Sequence, residues 1–221
     1  KTLLTSCAGI SGGQLLVDNR AKHSGLDAES CSRLYGAVTE ISSSTRLYAG
    51  LIGYDVSACF QVIAMARCLP STKMDEHGKF TASPRVYREA IAKAEGISYK
   101  KAKIAITKVM FGGVANYASI TPIAEEMKLI SQSVLNMAAL ADDGRYDRAV
   151  DMSKKEGGAT ILFHLLAMDE KRIRDAMSGC FDKYPLQVHD AVYSYQDLPV
   201  EVLEKAVKEQ TGFTVTIKKE Q

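Results

Sequence analysis

Close to the C-terminal end of the chain, "YPLQVHDAVYSYQDLP" (184–199) places an aspartate, Asp190, between two strand-like runs. Leu186 to His189 lead into it, and Val192, Tyr193 and Tyr195 follow. Two extended runs this close together read as a hairpin, so the fold must include a small antiparallel sheet. A His-Asp pair in that turn has an ordinary reading as turn residues. It has a second reading as a carboxylate presented at a sheet edge to hold a metal ion. The rest of the chain bears on which applies.

The 221 residues are 46% hydrophobic and 24% charged, enough for one large domain or two intimate ones. No apolar run approaches the roughly 18 residues of a membrane span, and no signal-peptide pattern opens the chain. It begins at lysine rather than methionine, and the expectation is a trimmed or partial polypeptide. The five cysteines (7, 31, 59, 68, 180) are scattered without a C-x-x-C, which argues for reduced intracellular thiols and against a zinc site. Net charge is only +2, but residues 85–110 concentrate Arg85, Arg88, Lys93, Lys100, Lys101, Lys103 and Lys108 against Glu89 and Glu95. A polyanion site needs such a local field more than a global one. A solvated helix face accounts for the same block equally well.

Along the chain, "SSSTRLYAGLIGYD" reads as a turn and a strand ending at Asp55, and the apolar residues from Ala58 to Leu69 crowd helically until Pro70. "STKMDEHGKFTASP" (71–84) reads as a polar loop. Helices are expected over 85–95 and 98–111 with Gly96 between them, over 122–141 with Pro122 in the first turn, and over 159–177. "ADDGRYD" and "KKEGG" read as breaks. Val200 to Gln210 predicts a short helix and "GFTVTIKK" a final alternating strand. Many helices and a few strands gathered around two aspartates predict an α+β fold.

Three segments carry the chemistry. In "LIGYDVSACFQVIAMA" an apolar strand delivers Asp55 to its end and a helix follows. In "YKKAKIAITKVMFGG", Tyr99, Lys103, Thr107 and Phe111 recur every four residues on one helical stripe, and Gly112-Gly113 stops the helix. In "LQVHDAV" a strand delivers Asp190. Two carboxylates at strand ends suit a pair of Mg²⁺ ions, which take one or two carboxylates plus substrate phosphates and stabilise both oxygens of a phosphoryl displacement. A helix lysine then meets the triphosphate. Each piece alone is commonplace; the ordered set is more specific than its members.

This set resembles the palm and fingers of the single-subunit RNA polymerases of phages and mitochondria and of the family A DNA polymerases. "YDVSACFQVIAMA" is similar to the family's motif A, "YKKAKIAITKVMFG" to motif B with the lysine-to-aromatic spacing and glycine kept, and "QVHDAV" to motif C. "VDNRAKH" resembles an upstream T/D-x-x-G-R element, and "FHLLAMDEKRIRDAM" loosely resembles the helix that the RNA polymerases carry before motif C. The resemblance spans roughly residues 14–217 but rests on about a dozen positions. It implies a helix-rich right-hand polymerase with a small antiparallel palm sheet: a first palm part at 1–70, fingers at 71–141 and a second palm part at 142–221.

The resemblance further implies a DNA-directed RNA polymerase. Asp55 and Asp190 would hold two Mg²⁺ ions with the Val56 carbonyl, and Lys103 would contact the triphosphate. Tyr99, Phe60 and Phe111 would line the nucleotide, and Gly112, Arg20 and His189 would meet the template, hybrid or product 3′ end. The implied partners are a DNA template, nascent RNA, nucleoside triphosphates and a second polymerase subunit supplying N-terminal or thumb parts, with no membrane. The implied setting is an infected host's cytoplasm or an organelle matrix. Departures bear on the product. Tyr99 stands where the family has arginine, with Lys100 or Lys101 as substitutes; Phe111 stands for a tyrosine; and Ala191 follows His-Asp where the DNA polymerases carry Glu and the RNA polymerases Ser. The missing glutamates favour RNA synthesis, whereas Phe60 as a steric gate would favour DNA.

Other chemistries fit less well. A His-Asp phosphohydrolase needs further His and Asp on helices, the Gly-rich segments match neither a P-loop nor G-x-G-x-x-G, and no nucleophile elbow is present. A non-catalytic subunit that binds nucleic acid through the basic helix stays open.

Overall fold

The computed structural model describes residues 7–11, 14–17, 46–47, 50–114, 116–156, 160–183 and 185–220. The fold is α+β and helix-rich with a small four-stranded antiparallel sheet. The chain divides into two compact units, one of residues 1–56 with 170–221 and one of residues 57–169. Arg20 lies outside the described residues.

The first unit holds the strands. β1 (Cys7–Ser11) and β2 (Gln14–Val17) pair antiparallel, with Ile10 opposite Leu15 and an irregularity between Cys7 and Ile10. The main sheet comprises β3 (Ile52–Val56), β4 (Leu186–Val188), β5 (Ala191–Ser194) and β6 (Ile217–Glu220) in the order β4-β5-β3-β6. Its register is fixed by the pairs Val188–Ala191, Ala191–Asp55 and Asp55–Lys218, which form one row across four strands. Residues directly opposite share a face, and successive residues alternate faces. On the face of that row, Val188, Ala191 and Tyr193 are buried against Leu47, Leu51 and Leu186. Gly53 is required there because a Cβ would lie 2.9 Å from the Tyr193 ring. On the other face Tyr54 and Val192 are fully buried, and the Tyr54 ring meets Phe181 at 5.6 Å. Each such side chain contributes about 1.5–3 kcal/mol by leaving water.

The helix over Val200–Thr211 packs on β6, burying Leu203 and Val207, and its Glu204 accepts the Ile217 N–H at 2.8 Å. The expected alternation of "GFTVTIKK" holds in its burial: Phe213, Val215 and Ile217 are buried, Thr214, Thr216 and Lys218 exposed. Only Ile217–Glu220 is paired as strand.

The second unit is helical: α1 (Cys59–Arg67), α2 (Asp75–Ala82), α3 (Pro84–Ala94), α4 (Tyr99–Met110), α5 (Thr121–Leu140) and α6 (Arg145–Glu156). α7 (Ile161–Ser178) begins in this unit and ends in the first, and the helix over Val200–Thr211 is α8. α5 packs against α1, α2, α4 and α6, and its buried Ile123, Met127, Ile130 and Val134 follow the three-and-four spacing of one helical face. The helix starting at Arg145 follows a turn in which Asp142 and Gly144 take positive φ, 48° and 73°. The expected break "ADDGRYD" therefore ends sooner than its sequence reads.

The expected break "KKEGG" likewise begins late, because Lys154 to Glu156 close α6. A further expectation is corrected. The stretch 71–84, read as a polar loop, is helical over Asp75–Ala82. Local signals for that helix are weak: Gly78 sits inside it, and no side chain caps it locally. A distant carboxylate supplies the cap, with Glu126 Oε2 accepting the N–H groups of Glu76 at 2.7 Å and His77 at 2.9 Å. Phe80 and His77 are then fully buried, and the His77 ring bonds the Gln61 carbonyl at 3.1 Å. Tertiary packing thus outweighs local propensity.

Candidate active site

The hairpin of the first unit turns at the His-Asp pair, as its sequence reads. Val188 pairs with Ala191, which leaves His189-Asp190 as a two-residue turn. His189 has φ +52° while Asp190 does not enter the positive region. Positive φ at the first turn position alone is the pattern of a II′ turn, whose first position favours glycine. A non-glycine held there costs about 1–3 kcal/mol and persists only where its surroundings over-determine it.

Both carbonyls of this turn are held. The Val56 N–H donates to the Asp190 carbonyl at 3.1 Å, and Arg174 Nη1 donates to the His189 carbonyl at 2.6 Å. Arg174 Nε donates to Gln187 Oε1 at 3.0 Å, and the Gln187 amide donates to Ser178 Oγ at 2.8 Å and Asp175 Oδ1 at 3.3 Å. The Arg174 side chain is buried.

This register places the two sequence-predicted aspartates near each other along the backbone. Asp55 stands opposite Ala191, the first residue of β5, which directly follows the turn residue Asp190, and both aspartates are partly exposed. Lys218 stands opposite Asp55 on the other flank and is exposed. An extended residue points its N–H and C=O to the same side. The Val56 carbonyl is thereby directed with its N–H toward the turn. Two carboxylates and a carbonyl are hard oxygen donors, a set that fits Mg²⁺ with its remaining positions left to water or phosphate. Among the described residues, no group of three or more His, Cys, Asp or Glu side chains offers a fuller cage. Ala191 belongs to the apolar cluster with Val188 and Tyr193, so its size answers to packing.

The basic helix lies in the second unit. α4 opens with Ser98 accepting the Lys101 N–H at 3.3 Å and buries Ala102, Ile106, Val109 and Met110. Tyr99, Lys103 and Thr107 share one side of the helix, as the four-residue spacing requires, and that side is exposed; Phe111 follows half-buried as the C-cap. Among the described residues, Lys100, Lys101, Lys103 and Lys108 are exposed and enter no salt bridge, whereas Arg85 pairs with Glu89 at 2.8 Å. The helix stop is a Schellman motif: Gly112 N–H donates to Val109 and Gly113 N–H to Lys108, at 3.2 and 3.0 Å. Gly112 has φ +84° with open space where a Cβ would be, while at Gly113 a Cβ would lie 2.8 Å from the Lys108 carbonyl.

Phe60, at the start of α1, and Phe111 meet edge to face at 5.7 Å, and Phe163 lies 5.8 Å from each. Such ring pairs contribute about 0.5–1.5 kcal/mol each beyond burial. Away from this cluster, Asp169 is buried between two guanidiniums, with Arg67 donating through Nε and Nη2 at 2.8 and 2.7 Å and Arg145 at 2.8 Å. Burial pushes the Asp169 pKa up, but the bonds and charges of the arginines outweigh it and hold the carboxyl below its usual range.

Several residues of these sites were not anticipated. Arg88, on α3, stacks over the Phe80 ring at 5.1 Å and lies 3.5 Å from the Tyr99 hydroxyl, next to the position where the resemblance expects an arginine. Phe163 completes the ring cluster. Arg174 had a legible signal: it falls on the buried stripe of α7 with Leu166, Ile173 and Met177, where a charge needs a reason.

No family model matches the chain, and no curated protein matches it. Among solved structures, it is similar to the POL domain of Pol1 from M. smegmatis in complex with DNA primer-template and dNTP. The TM-score is 0.44 and the identity 15%, over 99% of this chain and 49% of that one. The chain thus spans about half the length of that structure.

Proposed function

We propose that the protein is a template-directed nucleotidyltransferase of the palm-and-fingers type, making RNA on a DNA template. The observation that carries this is the backbone adjacency of Asp55, on β3, to Asp190, in the turn before β5, held by the Val56–Asp190 backbone bond at 3.1 Å. Asp55, Asp190 and the Val56 carbonyl would hold two Mg²⁺ ions. Bound there, the ions would supply charge neutralisation and Lewis acidity for an in-line displacement at phosphorus. Lys103 neutralises charge on the triphosphate, a task that suits an exposed ammonium that forms no salt bridge among the described residues. Arg88 beside Tyr99 supplies the guanidinium that the helix start lacks. Phe111 packs on the base and sugar, Gly112 leaves room for the template backbone, and His189 lies beside the product's 3′ end. Arg20 is assigned to the template or hybrid from its motif alone.

The preference for RNA rests on sequence: neither position that carries glutamate in the DNA polymerases does so here. One observation favours the second reading, a family A-like DNA polymerase. The Phe60 ring, held edge-on against Phe111 and Phe163, is fixed enough to act as a steric gate against a ribose 2′-hydroxyl. A second subunit with N-terminal or thumb parts is part of the proposal in either case.

Primer extension with Mg²⁺ and either rNTPs or dNTPs decides between these. Synthesis from rNTPs that is abolished in Asp190→Ala is the expected result. Equal use of dNTPs overturns the RNA preference, and wild-type synthesis by Asp190→Ala overturns catalysis at this site. In the last case a nucleic-acid-binding subunit is the account that stands.

A further inference from the structure

We propose that Arg174 is a positioning residue for Asp190, acting through the main chain of the His189-Asp190 turn. The proposal rests on the reading of Asp55 and Asp190 as a divalent-cation site. A two-residue turn with a histidine at φ +52° has a carbonyl on each of its two residues to orient. The Asp190 carbonyl is oriented by the sheet itself, through Val56. The His189 carbonyl lies outside that ladder, and Arg174 Nη1 holds it at 2.6 Å. If that carbonyl rotates, the peptide joining His189 to Asp190 rotates with it, and the Asp190 side chain leaves its direction relative to Asp55.

The geometry of the guanidinium fits this task. Its planar fork bonds two points of one hairpin: Nη1 takes the turn carbonyl and Nε takes Gln187 Oε1, two residues earlier on β4. Gln187 is itself oriented by Ser178 and Asp175 of α7, so hydrogen bonds join the fork, the strand and the helix. At 4% exposure the cation has almost no water to turn to. A lysine has one nitrogen and cannot span both acceptors in this way.

The sign of the effect separates positioning from simple charge. A permanent cation near a divalent-ion site repels the ion, so deleting Arg174 as a mere charge would tighten ion binding. Deleting it as a positioning group would weaken ion binding.

The test is a Mn²⁺ titration of the full chain by electron paramagnetic resonance, with circular dichroism to verify the fold. Arg174→Met is expected to bind Mn²⁺ about 10- to 100-fold more weakly, the usual effect of losing an outer-shell partner. Arg174→Lys should weaken it in the same direction despite retaining the charge, and Gln187→Leu should do so by a few-fold. If Arg174→Met does not fold, the lysine and Gln187 variants decide. Unchanged or tighter Mn²⁺ binding in the folded variants, while Asp190→Asn binds weakly, overturns the role of Arg174 alone. Mn²⁺ binding by Asp190→Asn equal to wild type overturns the cation-site reading itself.

Discussion

The two aspartates and the four lysines of α4 are both candidate sites for a phosphate-bearing substrate, yet they are built in opposite ways. Asp55 carries its short side chain on β3 and Asp190 on the turn beside it, which a backbone bond at 3.1 Å and the Arg174 side chain at 2.6 Å hold. Lys100, Lys101, Lys103 and Lys108 sit on long stems on an exposed helix face, without salt bridges among the described residues. The difference follows from the ligands each group would meet. A compact dication demands close, fixed oxygen geometry, which main-chain register supplies at little entropic cost. A polyphosphate is extended and variable, and a flexible ammonium can follow it, giving up its side-chain freedom only on contact.

The comparison predicts a graded set of outcomes. The largest effect is expected at the rigid end: Asp55→Ala should lower nucleotide incorporation by about 10³-fold or more with helix content unchanged, because the cation charge loses its anchor. Incorporation within a few-fold of wild type would remove Asp55 from the site.

Next comes a carboxylate outside the site. Asp169→Asn leaves Arg67 and Arg145 without their buried counter-charge and should cost about 3 kcal/mol in urea unfolding. That is the lower end for buried pairs, because the arginine side chains remain 35% and 27% exposed. Since folding depresses the Asp169 pKa, its stabilisation is present above the unfolded carboxyl value and lost as pH falls through the folded value. Stability measured against pH should therefore drop in acid for the wild type and less for Asp169→Asn.

Lys103→Ala should raise KM for nucleotide by about 10-fold, the scale of one charge-assisted contact, and leave template binding nearly unchanged. Equal weakening of both would make Lys103 a general phosphate contact and remove the contrast with the aspartates. The smallest effect is expected at the helix stop. Gly112→Ala has space for its methyl group but forces alanine to φ +84°, which should cost about 1 kcal/mol in thermal unfolding. No cost would mean that the last turn of α4 can rearrange.

Much of this was legible in advance where spacing alone decides. The outward stripe of Tyr99, Lys103 and Thr107, the stop at Gly112-Gly113, Pro122 in the first turn of α5 and the strands flanking His189-Asp190 all follow from local periodicity and turn chemistry. α2 was missed because its N-terminal cap is Glu126, fifty residues away for Glu76, and its reason to form is the burial of Phe80 and His77. Ala191, read as a departure from a motif, is a packing residue in the cluster with Val188 and Tyr193. Its size could be understood only once its neighbours were known.

By itself, then, the sequence determined the α+β class, the helix that carries the cations and the presence of two aspartates at strand ends. These depend on periods of about two and 3.6 residues and on glycine and proline, all short-range properties of the chain. The tertiary structure alone decided that Asp55 on β3 lies beside the His189-Asp190 turn, that Arg174 holds that turn, and that Phe60, Phe111 and Phe163 meet. Those contacts join residues up to 135 positions apart, as Asp55 and Asp190 are. Which distant segments pair is set by strand register and by which side chains bury together, and no local pattern encodes that.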